Sequence, residues 1–175
     1  IIEVRTGIIF LIFNLKYPWW QFGWGYLILG MMVLTLMVFL AAFDYKYMIL
    51  PDFAVIILIV SALILTFFDT NNIVPYLVSA AAAAGLLAFL NLITKGKGMG
   101  WGDVKLAVFM GLWLGYPKIV IAMYTAFVVG AIISLFLIIK KWVTKKSLIP
   151  FGPFLILGTV VSWWWGNELW RLIFG

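Results

Sequence analysis

Gly96-Lys97-Gly98-Met99-Gly100-Trp101-Gly102-Asp103-Val104-Lys105 is the stretch that decides how the rest of the chain is read. Four alternating glycines deny the segment a stable helix and permit close backbone approach and positive φ. An apolar run begins directly after Asp103. A carboxylate at the edge of such a run is costly and marks either a helix cap or a functional group. A second carboxylate, Asp44, ends another apolar run in a comparable way.

Outward from this loop the chain is almost wholly apolar. Its 175 residues are 66% hydrophobic and only 10% charged, whereas soluble domains carry about a quarter charged residues. The composition therefore defines an all-α, polytopic transmembrane helix bundle, and the length suits one bundle. Cysteine and histidine are both absent. That excludes disulfides, thiolate metal sites, a cysteine nucleophile and the usual general base. No metal and no cofactor are expected. The net charge of +6 sits at span ends and speaks for membrane orientation, not for nucleic acid.

About seven apolar spans can be drawn. The first covers residues 4–15 and is short. It is followed by an interfacial belt, Lys16-Tyr17-Pro18-Trp19-Trp20, in which aromatics favour the headgroup level and proline stops a helix. The next three cover residues 26–43, 53–68 and 73–93. Between the first two of these lies a loop, Asp44-Tyr45-Lys46-Tyr47-Met48-Ile49-Leu50-Pro51-Asp52, where Pro51 ends one helix and Asp52 is placed to cap the next. The run Ala80 to Ala84 followed by Gly85 predicts a helix face buried against its neighbours. Residues 104–116 form a fifth segment too short to cross unaided, with Gly111 and Gly115 as a close-packing pair. A sixth span covers residues 119–139, and a final one follows Ile149-Pro150-Phe151-Gly152-Pro153.

With alternating sides, Arg5, Lys46, Lys95, Lys97, Lys105, Lys140, Lys141, Lys145 and Lys146 share one face, against Lys16, Lys118 and Arg171 on the other. By the positive-inside rule the first face is cytoplasmic. Asp44 and Asp103 then lie at the same membrane face and at similar depth. Two carboxyls within hydrogen-bond reach share a proton, because both cannot ionise cheaply. Such a pair can activate water and protonate a leaving amine, which suffices for peptide hydrolysis. Taken singly, each has a plainer reading: Asp103 as an N-cap, Asp44 as a helix end beside Lys46. Glu168 and Arg171, spaced i,i+3, read as a surface pair.

Two stretches carry a family resemblance. Asp44 through Asp52, with its Leu50-Pro51-Asp52 ending, resembles the first signature of type IV prepilin peptidases. Gly100-Trp101-Gly102-Asp103-Val104-Lys105-Leu106 resembles the second, a G-x-G-D element shared with archaeal preflagellin peptidases. Glu3-Val4-Arg5-Thr6-Gly7 and Ile149-Pro150-Phe151-Gly152-Pro153-Phe154 resemble further family elements. The resemblance implies a single transmembrane peptidase domain over residues 1–175, with Asp44 and Asp103 as the catalytic pair. It implies Gly100, Gly102, Lys105 and Pro51 as substrate-binding or loop-supporting residues. The implied activity is an aspartic endopeptidase of the prokaryotic cytoplasmic membrane. It would remove the short basic leader of a prepilin or pseudopilin, from type IV pili or type II secretion, after a glycine and before a hydrophobic residue. Its partners would be that precursor and the lipid bilayer. Many bacterial members also carry an N-terminal segment with two Cys-x-x-Cys pairs and methylate the new N-terminus. This cysteine-free sequence gives no support for that zinc or methyltransferase segment. The presenilin group shares a GxGD-type aspartate, but its P-A-L element is absent. A proton-coupled transporter using Asp44 and Asp103 as a relay, and a non-catalytic scaffold of a pilus or secretion machine, are the alternatives from other classes.

Overall fold

The computed structural model describes residues 24–69, 72–96, 99–141 and 149–175. Six helices account for nearly all of them: α1 (Trp24–Tyr47), α2 (Asp52–Asp69), α3 (Val74–Ile93), α4 (Trp101–Leu114), α5 (Lys118–Ile139) and α6 (Gly152–Phe174). No strand occurs among the described residues. Apolar side chains run round the whole circumference of α1, α4 and α5, as expected where lipid covers whatever the bundle does not.

Of the roughly seven spans expected, the one at residues 4–15 falls outside the described residues, and the others differ in length. Among the described residues, three segments, Ile28–Tyr47, Val74–Ile93 and Lys118–Ile139, are long and apolar enough to cross a membrane. The apolar helix Asp52–Phe68 is shorter. Helix α4 has 14 residues, about 21 Å at 1.5 Å per residue, against a hydrocarbon core of about 30 Å. Among the described residues, apolar runs thus outnumber helices of crossing length. The stretch 4–15, the aromatic belt 16–20, the Glu3–Gly7 element and Lys97, Gly98, Lys145 and Lys146 lie outside the described residues.

Small residues set how closely the helices approach. A β-carbon on Gly111 would stand 2.2 Å from the Ala80 Cα, so α3 and α4 touch backbone to backbone. Gly158 does the same between α6 and α5, where a β-carbon would stand 2.3 Å from the Ala122 carbonyl oxygen. In lipid this is the main way helices gain contact. The alanine run is only half buried: Ala80 and Ala83 face inward, while Ala81 and Ala82 are exposed. A run of five cannot all lie on one side of a 3.6-residue turn.

Hydroxyls in the apolar helices are satisfied locally or between helices. Ser61, Ser79 and Thr159 each donate to the carbonyl four residues back, a common solution within a helix. Thr66 on α2 donates to the Leu112 carbonyl on α4 at 2.9 Å, and Ser162 on α6 donates to the Lys118 carbonyl on α5. These bonds, with Tyr76 lying over Gly115, mark one end of the bundle. The opposite end gathers the C-termini of α1 and α3 and the N-termini of α2, α4 and α6.

Candidate active site

Helix α1 continues to Tyr47, so Asp44 sits in its last turn and not in the loop expected there. Hydropathy changes at Asp44, but backbone hydrogen bonding does not, and the helix runs on for one turn. The chain leaves it through Met48, which takes a left-handed φ of 54° and donates its N–H to the Asp44 carbonyl at 2.8 Å. This reversal carries Leu50 inward, where it is buried. The Pro51 carbonyl accepts from the amides of Ala54 and Val55 at 3.1 and 3.3 Å. Pro51 therefore stands immediately before α2 and closes its first turn. Asp52 does not cap: it is the first residue inside the helix, and its Oδ1 accepts from Lys105 Nζ at 2.7 Å. The pair is half to two-thirds exposed and contributes little stability by itself. It does tie the start of α4 to the start of α2.

The glycine loop is shorter than its sequence suggests, because α4 starts at Trp101 and takes Gly102 into its first turn. The positive-φ explanation for Gly100 and Gly102 is accordingly corrected. Gly100 has an ordinary extended conformation, φ −83° and ψ 155°, and Gly102 is helical. Gly102 is needed for space: a β-carbon there would lie 2.9 Å from the Leu50 Cβ and 3.2 Å from its Cδ1. The two signature segments are thus packed directly on one another. Positive φ is found instead at Gly96, at 73°, where α3 gives way to the loop.

Asp103 is the third residue of α4, not its N-cap. Its Oδ2 accepts the Gly100 N–H at 3.1 Å, the carboxylate half of a capping box. The plainer structural role is therefore real. Asp103 and Asp44 are both buried, 7% and 6% exposed. Burial pushes the Asp103 carboxyl from 3.8 up to about 6; the Gly100 hydrogen bond opposes the rise, and the negative charge of nearby Asp44 adds to it. Asp44 is held from a third direction. Its Oδ2 accepts the N–H of Gly152, the first residue of α6, at 3.0 Å in a buried contact.

Two positions were missed from sequence. Gly152 was noted only as part of a family-like stretch, because a backbone N–H leaves no residue code. Asn91 was not singled out at all. It is buried near the end of α3, its side-chain Nδ2 donates to the Met99 carbonyl, and its main-chain carbonyl accepts the Gly96 N–H at 2.9 Å. It fastens both ends of the glycine loop. The signal was available, since a lone amide in an apolar helix is costly unless bonded.

Two apolar clefts between α3 and α5, of about 350 and 470 Å³, share Ser79, Ala82, Ile119 and Val120. They contain no carboxylate; the candidate site is instead the buried Asp44, bonded to Gly152, with Asp103 near enough to feel its charge.

The raised Asp103 value fixes a stability prediction. Below about pH 4 the folded and unfolded chains both hold the proton and the group is neutral in effect. Between about pH 4 and pH 6 only the folded chain holds it, so stability falls as pH rises. Above about pH 6 the cost is constant, on the order of 3 kcal/mol. Asp103→Asn removes it while keeping an acceptor for Gly100. In thermal melts in detergent the variant should exceed wild type at pH 8, with the gap closing by pH 4; a pH-independent gap contradicts the assignment.

Comparison with known proteins places the chain in a family. A family profile described as the Type IV leader peptidase family matches residues 31–135, more than half of the chain and inclusive of both aspartates. The chain belongs to that family. Similar proteins include a prepilin leader peptidase/N-methyltransferase of Legionella pneumophila, 30% identical over 87% of this chain and 55% of the relative. Proteins of the same description from Aeromonas hydrophila, 29% identical over 85% and 53%, and Neisseria gonorrhoeae, 28% identical over 99% and 59%, are also similar. The chain spans about half the length of the curated relatives it matches. No solved structure matches it.

Proposed function

We propose that this chain is an aspartic endopeptidase that removes the short basic leader of a prepilin or pseudopilin precursor at the cytoplasmic face of a bacterial membrane. Cleavage falls after a glycine and before a hydrophobic residue. What carries the reading is two buried carboxyls, each bonded to a backbone N–H and near enough that the charge of Asp44 raises Asp103's hold on its proton. Family membership supports the substrate class. The chain offers no cysteine or histidine, and its buried Ser61, Ser79 and Ser162 donate to main-chain carbonyls.

In the proposed reaction Asp44 is ionised and Asp103 protonated. Asp44 takes a proton from water as the water oxygen bonds to the scissile carbonyl carbon. The Asp103 proton passes to the leaving nitrogen as the C–N bond breaks. The pair ends with one proton, on the opposite carboxyl, and exchange with solvent resets it. Gly102 and Pro51 keep the two carrying segments in contact, and Lys105 ties them through Asp52.

The test is cleavage, by the purified chain in detergent, of a precursor with a basic leader, a Gly-Phe junction and an apolar helix. Mass spectrometry should show one cut between Gly and Phe, insensitive to chelators. Absence of cleavage refutes the reading; proton flux into liposomes that is lost in Asp44→Asn would favour a relay instead. The cytoplasmic placement predicts that Lys46→Cys in intact cells resists an impermeant thiol reagent added outside. Ready labelling would invert the orientation.

A further inference from the structure

Helix α6, like any helix, begins with N–H groups that have no intrahelical acceptor. Its first turn leaves one backbone N–H with no main-chain acceptor to satisfy it. The amides of Phe154 and Leu155 donate to the Phe151 carbonyl at 3.0 and 3.2 Å, and Pro153 has no N–H to give. That leaves the Gly152 N–H, and it goes to Asp44 Oδ2 at 3.0 Å. The amide sits at the positive end of a 23-residue helix, where a carboxylate is favoured. Only glycine fits: a β-carbon at 152 would stand 2.6 Å from Asp44 Oδ2 and 3.1 Å from its Cγ. From the other side, Phe151 is braced by Phe127 on α5, with ring centroids 5.1 Å apart.

We infer that Gly152 is a positioning residue for the reaction: its N–H fixes Asp44 Oδ2 and leaves Oδ1 as the oxygen that faces water and substrate. This rests on the peptidase reading given above. A carboxylate pinned through one oxygen and one N–H has its free lone pairs aimed in one direction. A general base needs that, because its reach to the water is a matter of tenths of an ångström. The Phe151-Gly152-Pro153 sequence supplies the three features needed: a brace, an unobstructed amide, and a neighbour that cannot compete for the carboxylate.

The decisive variant is Gly152→Ala, with Gly130→Ala as comparator. A β-carbon at Gly130 meets the Phe154 and Phe151 rings at 3.4 and 3.5 Å, so it presses on the same helix end without reaching Asp44. Gly152→Ala should lower kcat about 10- to 100-fold, the scale of disturbing one charge-assisted hydrogen bond. Its KM should stay within about twofold, since substrate contacts are untouched. Gly130→Ala should keep wild-type kcat. Wild-type kcat in Gly152→Ala, or equal losses in both variants, would overturn the inference. A measurement that needs neither variant nor turnover runs beside it: in the ¹⁵N-glycine-labelled protein, the Gly152 amide proton should resonate downfield and move upfield in Asp44→Ala. A Gly152 resonance indifferent to Asp44→Ala would also overturn it. If the wild-type chain cleaves no precursor, the peptidase reading fails, while the amide measurement still decides whether Gly152 holds Asp44.

Discussion

Asp44→Asn and Asp103→Asn should each lower precursor cleavage by about 10⁴-fold or more, and the double variant should be no worse than either single one. Residues that act as one unit lose nearly everything at the first removal. The substitution is close to isosteric, and the asparagine carbonyl still accepts from Gly152 or Gly100, so the bundle should stay folded. A neutral side chain is also easier to hold there than a charge. The pH profile of kcat/KM carries the same signature. The acid partner must be protonated in the free enzyme, and Asp103 holds its proton up to about pH 6. Above that value kcat/KM should fall about tenfold per pH unit. Near-wild-type cleavage by either single variant would remove the pair as the site.

Gly102→Val should be the most damaging change outside the carboxyls. Even the first added carbon lands 2.9 Å from the Leu50 Cβ, an atom fixed to the main chain that cannot swing aside. Two further methyls force α4 away from the 48–51 turn. Overpacking of this sort costs about 1–3 kcal/mol, which the bundle can survive, but the shift separates Asp103 from Asp44. Cleavage should fall at least about 100-fold with the protein still inserted and folded, as a shift of this kind near the reacting groups does. Leu50→Ala should partly rescue Gly102→Ala by removing the Cδ1 and Cγ contacts at 3.2 and 3.4 Å. Full activity in Gly102→Val would mean that the Leu50 contact has no part in aligning the two aspartates.

These predictions also show what the sequence disclosed and why the rest stayed hidden. The helices α2, α3 and α5 were legible within a residue or so, because proline, asparagine and lysine clusters bracket their apolar runs. The aspartates were legible because charge is rare in this composition and because two signatures recur in the right order. The last turn of α1 was not legible: Asp44-Tyr45-Lys46-Tyr47 looks like a loop when hydropathy is the guide, yet the helix outlasts the apolar surface. The start of α4 was placed three residues late for the opposite reason. Glycines suggested loop, but Gly102 in a first turn costs little and the Leu50 contact requires it. Contacts made by backbone amides, as at Gly152, are invisible to any pattern of side chains.

The bond between Gly152 and Asp44 joins residues 108 positions apart, and that separation has a consequence for the life of the chain. During synthesis the two aspartates emerge well before the helix that anchors one of them. A ribosome-bound chain can place α1 to α5 in the membrane and still present an Asp44 without its partner amide. The Gly152–Asp44 bond forms only when α6 docks, as is usual for contacts distant in sequence. Docking of the last helix is thus the step that completes the hold on Asp44, and it comes late in the making of each molecule.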